Sequence, residues 1–337
     1  LKTKHLLTYI VAAVVIVCLL GLWYVKRDTV IVSDTRLTLG TVVEITLIGK
    51  DKPALEDAMT AAFARITEIE KVTDRFTADS EVSAINRRKA PGTIPVSPDM
   101  LRMLVLSRKV SDLTGGAFDV TVAPLVDLWG FDVGGRLPAP DEIKRELSRV
   151  DYHRVEIDED SSTITLADGT VRLELGGIAQ GYAAAEVEKL FRERGIKSGV
   201  INISGDITVI GDKDGKPWRI GVQDPRNTSK LCAVINAKDI AIVSSGDYER
   251  CFFVDGVRYH HILDPKTGYP ARGCASVTVV TRDVALADAL STAIFVLGPE
   301  AGMKLAESLD GVGLLIVTDD EKRIVSPGLS EILELVD

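Results

Sequence analysis

The chain has 337 residues, 46% hydrophobic and 26% charged, with a formal net charge of −9. That length holds one large domain or two ordinary ones, and the composition is that of a folded globular protein. An acidic balance without basic clusters excludes a nucleic-acid binder, whose affinity rests on neutralising phosphates with Lys and Arg.

Residues 6–25 form an unbroken apolar run of the length that crosses a bilayer as a helix, with Lys2 and Lys4 before it and Lys26 and Arg27 after it. Positive charge on both flanks leaves its orientation undetermined by charge alone. A cleaved signal peptide is the competing reading, but the run is long and no small-x-small pattern closes it. Cys18 lies inside the run without the small residues that precede a lipid attachment site. The expected organisation is a stub at 1–5, an uncleaved transmembrane anchor at 6–25 and one domain over 30–337. Beyond the anchor stand Cys232, Cys251 and Cys274, an odd number without metal-ligand spacing, which argues against structural zinc.

A connector at 28–34 leads to a strand over 37–48 broken by Gly40. Leu55, Met59, Ala62, Phe63, Ile66 and Ile69 fall at helical spacing and predict an amphipathic helix over 55–72. Residues 73–86 are polar and turn-like. A helix over 98–113 opens on Pro98, which is tolerated in a first turn, and Gly115-Gly116 ends it. The Gly/Pro-rich stretch 134–140 is a subdomain joint or a loop. Short strands over 155–157 and 164–166 flank an acidic turn. A strand over 171–175 then runs through Gly176-Gly177 into a helix over 178–194, stopped by Gly195. Strands over 200–203, 207–210, 218–222, 232–235 and 240–243 follow. Runs at 251–254 and 257–263 flank Asp255-Gly256, a strong tight-hairpin signal that sets His261 at a strand end. Asp264-Pro265-Lys266-Thr267-Gly268 reads as a turn. A helix over 284–296, a strand over 313–318 and a short tail helix close the chain. Hairpins interrupted by a few long helices predict an α+β fold, with mixed sheets and helices packed on them, rather than a regular βαβ series.

Three places carry candidate chemistry. In 174–181, ELGGIAQG, glycines join a strand to a helix start, where unpaired N–H groups favour a phosphate. The spacing is G-G-x-x-x-G, with no acid placed for a ribose, so a dinucleotide site is disfavoured; a phosphate cradle and a close-packed turn both remain open. Asp288 and Thr292 share one face of a helix that is otherwise apolar. A buried carboxylate is costly unless paired or bound to metal, and oxygen donors suit Mg²⁺, whereas the alternative is an Asp interacting with the helix dipole. Phe76 and Phe118, in polar or glycine-rich surroundings, are candidates for an aromatic wall against a flat ligand.

Eight segments, 73–86, 115–129 (GGAFDVTVAPLVDLW), 174–182, 202–206, 221–226, 244–250, 261–270 and 287–293, together resemble the ApbE-like FAD:protein FMN transferases, in that family's order and over about residues 39–298. The resemblance implies that the FMN half of FAD, a substrate here, passes to a threonine hydroxyl of a target protein, such as a subunit of a membrane redox complex, with AMP leaving. It places a Mg²⁺ site on Gly177 (through its carbonyl), Asp288 and Thr292, with Ser291 a further participant. FAD contacts fall on Leu39, Phe76, Ala117, Phe118, Asp119, Glu174, Gln180 and Ile262, and the catalytic histidine on His261. It also implies a membrane-anchored protein with its domain on the extracytoplasmic side. Gln180 stands where the family often has Lys, Glu174 where Asp is common, Phe76 in place of a frequent Tyr and Ser291 where an acid can stand. The surroundings of the pyrophosphate are therefore less positive. Attack on a pyrophosphate needs charge neutralisation and alignment, which Mg²⁺ and helix N–H groups supply. His261, with an ordinary pKa of about 6.5, is the candidate general base toward the acceptor hydroxyl. A Mg²⁺-dependent FAD pyrophosphatase and a non-enzymatic FAD-binding protein are the competing functions.

Overall fold

A computed structural model describes residues 29–336. The expected stub and anchor lie outside the described residues, and among the described residues no helix is long and apolar enough to cross a membrane. The elements in chain order are β1 (Val30–Thr38), β2 (Thr41–Gly49), α1 (Lys52–Thr73), α2 (Glu81–Asn86), β3 (Gly92–Pro95), α3 (Pro98–Thr114), α4 (Ala123–Trp129), α5 (Pro140–Leu147), β4 (Val155–Asp158) and β5 (Thr163–Leu166). After these come α6 (Ala179–Glu193), β6 (Ser198–Ile203), β7 (Asp206–Ile210), β8 (Trp218–Gln223), β9 (Leu231–Ala237), β10 (Ile240–Gly246), β11 (Cys251–Val254) and β12 (Val257–His260). The chain finishes with β13 (Cys274–Thr281), α7 (Val284–Leu297), α8 (Pro299–Glu307), β14 (Gly313–Thr318), β15 (Arg323–Val325) and β16 (Leu333–Leu335).

An eight-stranded antiparallel sheet, ordered β1-β2-β6-β7-β10-β13-β14-β15, is the frame. Strand alternation sends Val43, Ile45 and Leu47 of β2, Ile201 and Ile203 of β6 and Val277 and Val279 of β13 to one face, where they pack with α1, α6 and α7. The opposite face, through Val209, Ile242 and Val280, meets Ile220, Val222 and Ile235 of a three-stranded sheet, β16-β9-β8. Both faces of β13 are therefore covered, and all eight of its residues are buried. Burial of such aliphatic side chains contributes roughly 1.5–3 kcal/mol each relative to exposure. A satellite cluster of Leu125, Trp129, Ile143 and Leu263, with Phe131, Phe252 and Tyr259 against it, fixes α4, α5 and the β11–β12 hairpin to one another. The expected mixture of hairpins and long helices is present, and α+β is the correct class.

Several local expectations are corrected. The strand predicted over 37–48 is two strands of a hairpin, and the predicted connector at 28–34 mostly belongs to β1. Its turn is Leu39-Gly40, with φ of 54° and 66°; a left-handed leucine is disfavoured, so the sequence reads as a strand with a break. The polar stretch 73–86 contains α2, capped by the Ser80 hydroxyl on the Ser83 N–H. The predicted strand 171–175 has no strand partner among the described residues. The Asn86 side chain takes that place, accepting from the Leu173 N–H at 2.7 Å and donating to its carbonyl at 2.8 Å. The predicted tail helix is a single 3-10 turn, Pro327–Leu329, followed by β16.

Candidate active site

The glycine turn before α6 and the middle of α7 form the centre of the site. Gly181 lets the two helices cross closely: a Cβ there would stand 2.5 Å from Asp288 Cβ and 2.6 Å from the Val284 carbonyl oxygen. At the crossing the Gly181 N–H donates to Asp288 Oδ2 at 2.8 Å. Asp288 is 6% exposed, and burial raises its pKa to about 7, opposed by that one N–H. It is not bonded at the start of its own helix; Asp283 fills that role, accepting from the Leu286 N–H.

One turn on, Thr292 faces the glycine turn, its Oγ1 3.5 Å from where a Gly177 Cβ would lie. Ser291 is fully buried; its hydroxyl donates to the Asp288 carbonyl at 2.9 Å and lies 2.8 Å from Ser245 Oγ of β10. That hydroxyl braces the helix against the sheet and has little capacity left for a ligand. Ser245 Oγ also lies 3.4 Å from Thr292 Oγ1. Gly177, Asp288 and Thr292 are thus brought together as expected. The donors are oxygens only, and among the described residues no group of three or more His, Cys, Asp or Glu side chains gathers at one point. The set fits a hard divalent cation that completes its shell with hydroxyl, carbonyl, water and phosphate oxygens, as Mg²⁺ does, and does not fit zinc.

The predicted FAD contacts divide. Leu39 is clamped in its left-handed conformation by Glu70 at the end of α1, which accepts from the Leu39 N–H at 2.6 Å and from the Thr38 hydroxyl at 2.9 Å. Phe76 is 71% exposed, with the Arg75 guanidinium 4.6 Å above its ring. Gln180 and Glu174 are partly exposed beside the glycine turn, and Ile262 is buried. Phe118 is a correction to the aromatic-wall expectation. It is 5% exposed and lies beneath Gly177, where it supports the turn and presents no wall. Asp119 is likewise occupied: its Oδ1 accepts from the Thr121 N–H and hydroxyl, and its Oδ2 from the Tyr152 N–H. Ala117 is also buried, so the side chains of 117–119 are turned inward.

Glu174 Oε2 pairs with Arg75 Nε at 2.7 Å, while its Oε1 accepts from the Gly176 N–H. Burial pushes the Glu174 carboxyl up, and Arg75 pulls it back. Arg75 also reaches Asp127, and Asp132 at 2.9 Å; Asp132 in turn holds Arg250 at 2.8 Å. The Arg250 carbonyl accepts from the His261 N–H at 3.0 Å. Ion pairs therefore run from the glycine turn to the Arg250 guanidinium, and the backbone of that residue holds the backbone of His261. Asp127, Asp132 and Glu174 outnumber Arg75 and Arg250 in this network.

Asp255 and Gly256, with φ of 50° and 78°, make the expected hairpin turn, and β12 ends at His260. Asp264 closes the next turn, accepting from the Lys266 N–H and the Thr267 hydroxyl, and Trp129 Nε1 donates to the Gly268 carbonyl at 2.9 Å. The two histidines separate by environment. His260 is bonded through Nε2 to the Ala271 carbonyl and lies edge-on to Phe295 of α7, a packing role. His261 has a buried Nδ1 without a partner, and burial, then Arg250, lowers its pKa to about 4. The expectation of an ordinary value near 6.5 is corrected: the imidazole is neutral across the physiological range and a weaker base than supposed. Glu70, Arg75 and Ser245 carry no local signal in the sequence, because each acts through a partner far along the chain.

The site is thus a set of oxygen donors gathered at a glycine turn of an α+β scaffold, with a histidine, its Nδ1 buried, at the end of the neighbouring hairpin. The chain belongs to the ApbE family, whose model matches residues 39–316. It is 32% identical to a FAD:protein FMN transferase of Treponema pallidum over 90% of this chain and 89% of that protein. It is 33% identical to one of Vibrio cholerae, over 84% and 86%. Among solved structures, the ApbE protein of Thermotoga maritima superposes with a TM-score of 0.82 at 35% identity, covering 90% of this chain and 99% of that one. The flavin transferase ApbE of Vibrio cholerae gives 0.81 at 30% identity, covering 90% and 100%.

Proposed function

We infer that this chain is a FAD:protein FMN transferase, and that its acceptor is a threonine hydroxyl. The observation that carries the reading is the convergence of Asp288, Thr292 and Gly177 at one seat, in a chain whose relatives bear that name over most of their length. Gly177, Asp288 and Thr292 would hold Mg²⁺, which when bound neutralises pyrophosphate charge and polarises its phosphoryl oxygens. Leu39, Phe76, Glu174, Gln180 and the main chain of 117–119 would position FAD. The acceptor oxygen bonds to the FMN phosphorus, the bridging P–O bond breaks, and AMP leaves with that oxygen. The acceptor proton passes to the neutral imidazole of His261. Desolvation around His261 keeps it unprotonated and therefore ready to accept.

The test incubates the protein with FAD, Mg²⁺ and a purified flavin-bearing subunit of a membrane redox complex stripped of flavin, and measures AMP and protein-linked flavin together. Equal amounts of both are expected, and Asp288→Ala should give neither while remaining folded. Free FMN without linked flavin would identify a hydrolase, and FAD retention without AMP a binding protein. Anchoring through residues 6–25, with the domain outside the cytoplasm, completes the proposal. It rests on the apolar run, and a mature chain found by N-terminal sequencing to start beyond residue 25 would refute it.

A further inference from the structure

Strand β7 presents two buried oxygens that nothing among the described residues satisfies. Its residues alternate across the sheet, and Ile210 joins the core on the helix side. Asp206 and Thr208 share that face, toward the layer formed by α6 and α7. Asp206 is 5% exposed and its Oδ2 has no hydrogen-bond partner; Thr208 is 1% exposed and its Oγ1 has none either. Among the described residues no cation pairs with Asp206, and burial, then the nearby Asp288, push its carboxyl up, while β7 packs against the helix that carries Asp288. Its position is not incidental. Ser204-Gly205, with φ of 55° and 100°, turns β6 tightly into β7, and Asn202 Oδ1 fixes that turn by accepting from the Gly205 N–H at 3.0 Å. Two carboxylates buried without a counter-charge destabilise a fold severely unless a cation stands with them or they share a proton.

We propose that Asp206 is a second carboxylate of the cation seat, facing Asp288 from the sheet side. The proposal rests on the cation reading above and deepens it: the seat is built by the helix pair and by the sheet together.

The test reads Mn²⁺ binding by the free-ion EPR signal on the whole protein, with ADP present as a diphosphate. Asp206→Asn is expected to raise the dissociation constant on the order of 10- to 100-fold, the usual scale for groups at and just beyond a metal. Asp288→Asn should raise it further. Unchanged affinity in Asp206→Asn with loss in Asp288→Asn overturns the proposal and leaves the cation reading standing; no Mn²⁺ binding by the parent overturns both. Melting gives a second measurement. A ligand role predicts that Asp206→Asn, or the smaller Asp206→Ser should the first fail to fold, loses most of the Mn²⁺-induced rise in melting temperature. Retention of the full rise in either folded variant would assign Asp206 to a carboxyl pair that merely shares a proton.

Discussion

At the scale of the residue, His261 shows how environment sets a role that residue type leaves open. Its pKa near 4 lies below the ordinary 6.5, so between these values the unfolded chain binds more protons than the fold. The stability contributed by a neutral His261 is complete above pH 6.5 and is lost as pH falls toward 4. Urea midpoints measured from pH 7 to 4 should therefore decline, and His261→Asn should flatten that decline. In the transfer assay, the acid limb of the rate should not fall near pH 6.5 on account of this residue. His261→Asn should lower transfer by ~10² to 10⁴-fold, the usual contribution of a general base, with FAD affinity nearly unchanged. Loss confined to affinity would move the residue from catalysis to binding. Glu70 makes the complementary case. A left-handed leucine is strained, and the carboxylate that holds it is the device that keeps a predicted FAD contact in place. Glu70→Ala should weaken FAD binding on titration with little effect on turnover at saturating FAD, and Glu70→Gln should recover part of the loss. A fall in turnover alone would show that Leu39 does not report on binding.

At the scale of the element, what the sequence discloses depends on whether a signal is local. Asp255-Gly256 is legible because both residues tolerate positive φ, so the hairpin and the placement of His261 follow from neighbours. Asp288 and Thr292 are legible because helical spacing aligns them on an apolar background. Leu39-Gly40 is not, because leucine carries no turn signal. Nor is the 171–175 stretch, whose apolar alternation reads as a strand while Leu173 bonds to the side chain of Asn86 and the Glu174 N–H to the Val120 carbonyl. The glycine turn is the instructive mixture. Gly176-Gly177 suggests an approaching ligand, yet Gly181 is there for the crossing of α6 and α7. Gly181→Ala forces a methyl against Asp288 and the Val284 carbonyl. It should cost about 1–3 kcal/mol by urea unfolding, as overpacked interiors do, and weaken cation binding through the displaced Asp288. An alanine variant of parental stability and Mn²⁺ affinity would show the helices free to slide apart.

At the scale of the whole molecule, the strand order separates early chain from late chain. β1 and β2 lie at one end of the eight-stranded sheet, while β13 and β14, on either side of α7 in sequence, fill the other half. The residues of the proposed seat thus come from the glycine turn, β7 and α7, contacts of large sequence separation that are costly to form early. On dilution from denaturant, far-UV circular dichroism should recover before Mn²⁺ binding does; coincident recovery would indicate that α7 docks with the first structure formed. The position of β10 carries a further consequence, for biosynthesis. Until β13 has been made, β10 is an open strand edge, with apolar Ala241, Ile242 and Val243 on it. A nascent chain halted before residue 274 would offer that edge to its copies, a route to aggregation that completion of the chain closes.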